Sequence, residues 1–448
     1  MITPDDPGFI KGFDWGLYPE AEKFLQKEIA RFLRHNALAN TLAKKMETET
    51  STWLFDWVDH MVLPEGRVSS QDLEKLGFQE TSDGVFRHTK TVFFPVLFGK
   101  TTELVIKPED IEPFARKFGG QIEGERFAPY RKAVINNKSG FILSANERRG
   151  SNGFAVEKAK DIGRYRKAFE TFKSRERKFS SDKDGMKAVK KLIRKQGLSK
   201  ARAADAFFRN ERAYWEKRNK AGQLQKKRQD ALGLGWGNHD HHTYRSSRDN
   251  FAGLVEIFED MGYLCRERFF AGEAAGWGAQ ILEHPLCDIV VFADVDITKE
   301  EKDMDFAHKG LKNMSRLGTV GMWIGLHGES ILQAGMHHLE ARFNFKRLCS
   351  DLPKHGKNVM KPFSDFPFLK QAFTQGEIWK VEKSRLTNLL KAGSITKEQH
   401  DIFLADGALG SHMENLQRRQ GFKGFNQDSV TAIIKATDPR KYDVHRHA

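Results

Sequence analysis

The spacing of apolar residues changes at residue 53, from a helical period before it to a strand-like pattern after it. Residues 18–46 place apolar side chains at helical spacing with Lys and Glu between them, which predicts a helix. From Trp53 to Leu63 the apolar residues are almost continuous and end at a proline, which predicts a buried strand. The pattern therefore predicts a helical N-terminal segment, residues 1–52, that precedes a sheet region.

Two stretches, residues 53–150 and 236–350, have the pattern of sheet modules. Each begins with a His-bearing strand, continues with a helix and further strands, and ends with a strand that carries Glu and Arg. In the second stretch the helix is marked by apolar residues at helical spacing, namely Phe251, Leu254, Val255, Phe258 and Met261. The two stretches share the order of their predicted elements but not their amino-acid sequence. We therefore predict two βαβββ-type sheet regions.

A basic segment without proline, residues 151–235, separates the two modules. Residues 151–230 contain 25 Lys and Arg against 10 Asp and Glu, a net charge of +15, whereas the whole chain carries +14. The rest of the chain is therefore close to neutral. Aromatic and aliphatic residues recur among the charges, which predicts two or three helices that form a basic helical insertion.

The last stretch, residues 351–448, is predicted to be a mainly helical tail with loops. It contains a Gly-rich run, residues 407–426, with Ser411, His412 and Glu414. No nucleophile elbow surrounds the serine, and no Gly-Lys-Ser/Thr closes a P-loop. This run is interpreted as a tight packing loop from which His412 could still approach a site. The predicted fold class is α+β.

The composition of the chain bears on where the protein is found. Hydrophobic residues make up 39% and charged residues 30%, and no apolar run approaches the roughly 18 residues that a membrane helix needs. The N-terminus lacks the basic and apolar regions of a signal peptide. Three cysteines in 448 residues do not make a disulfide framework. These observations predict a cytoplasmic protein without a membrane partner.

The two sheet modules offer a set of metal ligands. His60 and His241 lie on the first strand of each module, and Glu147 lies on the last strand of the first, with Glu340 as the equivalent rival in the second. Two imidazoles and one carboxylate suit a divalent transition metal, Fe(II) above all, and leave three positions open. Those positions could hold a bidentate 2-oxoacid or catechol together with dioxygen.

Each of these residues also has a simpler interpretation. His60 could be a buried histidine bonded to a carbonyl group, and Glu147 could pair with the arginines that follow it. Arg245 lies four residues after His241, so both share one face of a strand, where the guanidinium could clamp a substrate carboxylate. The alternative is a surface salt bridge with a nearby acidic residue. A second polar cluster falls on predicted strands and comprises Trp323, His327, Glu329, His337 and His338.

Four segments resemble the vicinal-oxygen-chelate superfamily, and within it most resemble the 2-oxoadipate dioxygenase/decarboxylase group. They are His241-His-Thr-Tyr-Arg245, Phe258-Glu-Asp-Met-Gly-Tyr263, the Gly-rich stretch 270–285 and Val291-Phe-Ala-Asp-Val-Asp296. The resemblance covers about 200 of 448 residues, with the two halves in swapped order and no counterpart of the basic insertion.

The resemblance also implies roles for four residues. It implies His241 and His60 as metal-binding histidines, Glu147 as the carboxylate ligand and Arg245 as the substrate arginine. The reaction it implies removes carbon dioxide from a 2-oxoacid and adds an oxygen atom from dioxygen at Fe(II).

A second function class stays open at this stage. The basic helices carry aromatic residues among their charges, which is compatible with binding of nucleic acid or an acidic partner. Charged outer faces are common on amphipathic helices, however, because lysine stems also cover apolar surface. In this alternative the sheets are non-catalytic and the basic segment 151–230 is the binding surface.

Overall fold

The computed structural model describes residues 15–82, 84–236, 239–273, 275–314, 316–333, 338–425 and 438–440, with the backbone alone for 239, 240 and 338–341. Helices alternate with two large mixed sheets, which confirms the α+β class. Each sheet has its own hydrophobic core. Within the described ranges, no helix has the length and apolar character needed to cross a membrane.

The N-terminal segment forms two helices, α1 (Pro19–His35) and α2 (Ala37–Lys45), where the sequence predicts one. The break falls at Asn36, whose side chain accepts a hydrogen bond from the backbone N–H of Ala39 at 3.1 Å and so caps α2. A short 3₁₀ turn then precedes the first strand, which begins at Val58 and not at Trp53.

The first sheet contains two βαβββ units, where the sequence predicts one. Its elements are β1 (Val58–Pro64), α3 (Ser70–Lys75), β2 (Gln79–Ser82), β3 (Val85–Arg87), β4 (Val96–Gly99), β5 (Thr102–Ile106), α4 (Ile111–Phe118), β6 (Ile122–Glu123), β7 (Tyr130–Lys138) and β8 (Phe141–Arg148). The strand order is β2-β3-β4-β1-β5-β8-β7-β6. In each unit the first strand runs parallel to the last, and β1 and β5 join the units in antiparallel fashion.

The basic insertion folds into four helices. They are α5 (Ile162–Lys173), α6 (Asp182–Arg194), α7 (Lys200–Glu216) and α8 (Lys220–Asp230). Most of α7 is buried, including charged residues such as Arg202 and Glu211. This helix contacts both halves of the molecule: Arg209 donates hydrogen bonds to the carbonyl oxygens of Glu109 and Arg148, and Phe208 packs against Tyr244.

The second sheet repeats the arrangement of the first and also contains two βαβββ units. The first comprises β9 (His239–Arg245), α9 (Phe251–Asp260), β10 (Leu264–Phe270), β11 (Trp277–His284) and β12 (Ile289–Asp296). Two helices follow, α10 (Thr319–His327) and α11 (Ser330–Gln333). The second unit comprises β13 (His338–Arg342), α12 (Phe345–Asp351), β14 (Ser364–Phe366), β15 (Leu369–Phe373), β16 (Glu377–Trp379), α13 (Lys383–Lys391), α14 (Lys397–Ala405) and β17 (Ala408–Arg418). The strand order is β10-β11-β12-β9-β13-β17-β15-β14, with β16 beside β17.

The structure corrects three predictions for this half. The second sheet does not end near residue 350 but continues to Arg418, so the predicted mainly helical tail supplies four of its strands. The Gly-rich run predicted as a packing loop contains the 11-residue strand β17. Residues 321–330 are predicted to be strand-like, but most of them belong to the helix α10, whose side chains are buried on nearly every side. A helix buried all round shows no apolar stripe, and its period cannot be read.

Candidate functional site

One face of the second sheet is covered by α7. The ring of Phe208 on this helix lies 5.0 Å from that of His242 and 5.9 Å from that of Tyr244, both on β9. Further along α7, Trp215 donates a hydrogen bond from its indole nitrogen to the Ser411 hydroxyl of β17 at 2.7 Å. These contacts fix which residues of β9 and β17 point toward the helices.

Alternate residues of the same strands point to the opposite face, called the inner face below. Because successive side chains of a strand alternate, the inner face receives His241 from β9 and His412 and Glu414 from β17. All three side chains are about 2% exposed. Two imidazoles and a carboxylate therefore project from the same side of one sheet.

The strand register aligns these residues across the sheet. His242 of β9 pairs with Leu339 of β13, and Leu339 pairs with Met413 of β17. In the backbone register Glu340 pairs with Glu414. Neighbouring strands lie about 4.8 Å apart, so the Cα atoms of His241 and Glu414, two strands apart, are separated by roughly 10 Å. The register therefore places the imidazole of His241 and the carboxylate of Glu414 on one row, on either side of β13.

The carboxylate and imidazole of β17 are held by β15. Gln371 donates a side-chain hydrogen bond to Glu414 Oε1 at 2.8 Å, and the ring of Phe373 lies 4.0 Å from that of His412. An amide donor on one oxygen fixes the rotamer of Glu414 and leaves the charge of the carboxylate in place. This pair of strands therefore orients both side chains toward the inner face.

Aromatic rings adjoin His241. The ring of Phe292 lies 5.0 Å from the His241 ring, and Phe425 lies 5.3 Å from both Phe292 and Phe269. Phe425 follows β17 in the chain, so it packs across the sheet onto β10 and β12. The result is an apolar surface beside the imidazole that excludes water from that side.

A cleft between the two sheets leads to His241. Its lining is rich in charges of both signs and includes Asp56, Asp59, Arg87, Lys107, Arg266, Glu283, Asp288, Arg342 and Lys423. Val58 and Asp59 come from the first sheet and His241 and Val290 from the second. A small ligand in this cleft lies beside the His241 side chain and among guanidinium, ammonium and carboxylate groups.

Arg245 lies at the far end of β9 from this cleft. It is 6% exposed, so the alternative of a surface salt bridge is wrong, and its guanidinium lies 5.6 Å from the Trp323 ring. Burial lowers the pKa of Arg245 to about 10 against the opposing effect of Asp294 and Asp296. Burial likewise raises the pKa of Asp294 to about 8. Arg245 thus shares the inner face with His241, as predicted, within a buried cluster of carboxylates.

His60 lies on the face of the first sheet opposite its hydrophobic core. Met61 points into that core, whereas His60 pairs in register with Val105. Its Nδ1 is hydrogen-bonded to Asp59 Oδ2 at 2.6 Å, and Arg148 binds both oxygens of Asp59 at 2.7 and 2.8 Å. The simpler interpretation from the sequence gave His60 a carbonyl partner, but in the structure its partner is the carboxylate of Asp59.

Glu147 points to the other side of the first sheet from His60. It lies two residues after Ala145 and four after Leu143 on β8, so it shares their face of the sheet, which is the core side. Its carboxylate accepts hydrogen bonds from the Ile111 backbone N–H at 3.1 Å, from Arg131 at 3.3 Å and from Arg149. The structure therefore does not bring Glu147 to His60, and it supports the interpretation of Glu147 as an ion-paired residue.

Several cations of the basic insertion form internal ion pairs. Glu211 binds Arg175 and Arg177, Asp161 binds Arg202 at 2.9 Å, and Glu109 binds Arg212 at 2.5 Å. These bonds join α7 to the segments on either side of α5 and to the connection between β5 and α4. Binding of nucleic acid to this segment stays a prediction that no contact of the described residues favours.

Sequence reasoning missed the role of β17 and β15. His412 and Glu414 were noticed, but the four glycines of the run 407–426 favoured a loop. The stretch 411–418 has only two apolar residues, Met413 and Leu416, three positions apart, so no alternation of apolar and polar residues marked it as a strand. Gln371 carried no signal in the sequence.

No family model matches the chain, and no curated protein matches its sequence. Solved structures that resemble it include a 4-hydroxymandelate synthase variant from Streptomyces coelicolor, with a TM-score of 0.31, 10% identity and coverage of 74% of this chain and 96% of that one. A methylmalonyl-CoA epimerase from Mycobacterium tuberculosis has a TM-score of 0.23, 11% identity and coverage of 40% and 87%.

A Shigella flexneri protein that includes domain DUF1338 has a TM-score of 0.24, 12% identity and coverage of 62% of this chain and 86% of that one. The synthase and the epimerase belong to the vicinal-oxygen-chelate superfamily that the sequence resembles.

Proposed function

We propose that the chain is a metal-dependent enzyme of the vicinal-oxygen-chelate type that acts on a small carboxylate-bearing metabolite such as a 2-oxoacid. The observation that carries the proposal is the row on the inner face, with His241 on β9 and Glu414 on β17 on either side of β13. A third ligand comes from His412 or from β13, where Glu340 is aligned with Glu414. Fe(II) is the metal that best suits imidazole and carboxylate ligands with open positions.

A divalent metal on this row would supply Lewis-acid and template chemistry for a bidentate 2-oxoacid and dioxygen. The protein's own residues do the rest. Gln371 holds the Glu414 carboxylate in one rotamer. Phe292 and Phe425 exclude water beside His241. Arg342 and Lys423 in the cleft attract a substrate carboxylate toward the inner face.

The ligand set predicted from the sequence shares His241 with this proposal. It differs in the first sheet, where His60 is bonded to Asp59, and Glu147 to two arginines. Both sets predict metal loss on replacement of His241, and they disagree on Glu414, His60 and Glu147. The disagreement can be measured directly.

The test is metal content after purification without a histidine tag or chelator, for the parent chain and three variants. We expect about one equivalent of Fe, Mn or Zn at the inner face, lost in His241→Ala and Glu414→Gln and retained in His60→Ala. Circular dichroism confirms that each variant is folded. Retention of this metal in folded His241→Ala and Glu414→Gln would overturn the proposal, and loss in folded His60→Ala would favour the sequence-based set.

Activity is measured separately as oxygen uptake with a panel of 2-oxoacids and, in parallel, as carbon dioxide release. We expect uptake by the Fe(II)-loaded parent chain with at least one of them and none by His241→Ala. If metal binds but neither gas changes with any 2-oxoacid, the metal site stands and the oxygenase activity is refuted.

A further inference from the structure

We infer a second cation site, distinct from the inner face, formed by Glu259, Cys265 and His308 and suited to Zn²⁺. One donor atom from each residue lies within 4.8 Å of the other two. Cys265 Sγ is 3.9 Å from Glu259 Oε1, and His308 Nε2 is 2.9 Å from the same oxygen. The inference does not depend on the proposed function.

Three separate elements supply the donors. Glu259 lies in the last turn of α9, Cys265 near the start of β10, and His308 in the connection between β12 and α10. A thiol, an imidazole and a carboxylate from three elements differ from a cluster of neighbouring acidic residues, and His308 is 49 residues from Glu259 in the chain. An ion here would join the β12–α10 connection to the corner between α9 and β10.

The donor set and its spacing match the requirements of zinc. Zn²⁺ binds sulfur at about 2.3 Å and nitrogen or oxygen at about 2.0–2.2 Å, so tetrahedral ligands stand roughly 3.3–3.8 Å apart. The sulfur–oxygen distance of 3.9 Å is close to that range, and the nitrogen–oxygen pair needs to open slightly from hydrogen-bond length. A thiolate also selects zinc over magnesium or calcium.

A fourth residue orients the histidine. Asp305 lies 2.9 and 3.0 Å from His308 Nδ1, on the far side of the ring from Glu259. A carboxylate on one ring nitrogen fixes the tautomer and directs the other nitrogen to the metal. The side chains of His308 and Glu259 are 43% and 35% exposed, so solvent can deliver the ion and fill the fourth position.

Without metal, the Cys265 thiol holds its proton at neutral pH. Burial raises the pKa of Cys265 to about 12, and Glu259 and Asp305 add to the effect. Burial lowers the pKa of His308, but the hydrogen bonds to Glu259 and Asp305 outweigh it and raise the pKa overall. A cation must displace the proton of the Cys265 thiol, so its binding strengthens as the pH rises. The carboxylates of Glu259 and Asp305 favour replacement of the proton by a cation.

The experiment is a Co²⁺ titration followed by absorption in the near ultraviolet, where a cobalt–thiolate bond gives an intense band. It is carried out in the His241→Ala chain, so that metal on the inner face does not contribute. We expect one equivalent to produce the band, with loss of the band in Cys265→Ser. Cys287→Ser is the matched control, because Cys287 is also partly buried but bonds to the Ala201 carbonyl.

Two further variants complete the test. His308→Asn, at a more exposed position, should abolish the band even if Cys265→Ser fails to fold. Asp305→Asn should weaken Co²⁺ binding by about 10–100-fold while the band remains at saturation, as expected for a residue that positions a ligand. Absence of the band in the His241→Ala chain, or its persistence in Cys265→Ser or His308→Asn, would overturn the inference. Zn²⁺ should displace Co²⁺ and bleach the band.

Discussion

Replacement of Glu147 by glutamine separates the two interpretations of this residue. In the structure its carboxylate is fully buried and binds the Ile111 backbone N–H, Arg131 and Arg149. Glutamine keeps the shape and one acceptor oxygen but removes the charge. If the residue is a metal ligand, the main effect is on metal; if it is an ion-paired residue, the main effect is on stability.

The magnitude follows from the partners that remain. Removal of one member of a buried ion pair costs about 3–5 kcal/mol, because the other charge is left without compensation. Arg131 keeps Glu112 at 3.1 Å, so the cost falls toward the lower end of that range. The free energy of unfolding should therefore decrease by about 3 kcal/mol, more than a hundredfold in the unfolding equilibrium constant.

The assay is urea unfolding, with the same variants analysed for metal. Glu123→Gln is the control, since this glutamate lies on an edge strand of the same sheet and is exposed. A surface change of this kind should alter stability by no more than about 0.5 kcal/mol. Our reasoning is refuted if Glu147→Gln unfolds at the parent midpoint and has lost its metal.

Two further predictions concern stability. His327 is buried with its Nε2 3.0 Å from the Leu409 carbonyl oxygen, and burial lowers its pKa to about 3. Protonation therefore favours the unfolded chain, so stability is present above pH ~6.5 and falls as the pH drops toward 3, by about 1.4 kcal/mol per pH unit. The urea midpoint should fall more steeply between neutral pH and pH ~5 in the parent than in His327→Gln; equal slopes would contradict this. Gly410→Ala should lower the melting temperature, because an added Cβ would overlap the Trp379 ring, at a cost of about 1–3 kcal/mol. In the control Gly163→Ala, where the Cβ meets open space within a helix, the melting temperature should stay the same or rise.

The sequence correctly predicted those elements in which apolar and polar residues recur with a regular spacing. The first strands of both halves, helix α9 and the strands up to Asp296 could be read from the sequence, because each has one polar and one buried face or a short apolar run. The α+β class followed from the same patterns. His241 and Arg245 were placed on one face correctly, since that inference needs only the alternation along a single strand.

The parts that could not be read depend on distant contacts. Which face of β8 carries Glu147 follows from its register with β5 and from the packing of α4, and neither is visible locally. The partnership of β13 with β17 joins segments more than sixty residues apart, with three α-helices between them. The glycines of the run 407–426 are typical of a loop, and only the neighbouring strands show that β17 is a strand. The sequence therefore did not show on which face of a sheet the polar residues of β17 lie.

The strand order of the second sheet also has a consequence for how the molecule folds. The hairpins from β10 to β12 involve neighbouring segments, and each can form as soon as its turn closes. The central strands begin at residues 239, 338 and 408, so their pairing must wait for the closure of long loops. Slow, non-local pairing of this kind limits the folding rate of a sheet. The row that carries His241 and Glu414 is therefore among the last parts of the chain to assemble, and the hairpins and helices exist before any site for a ligand does.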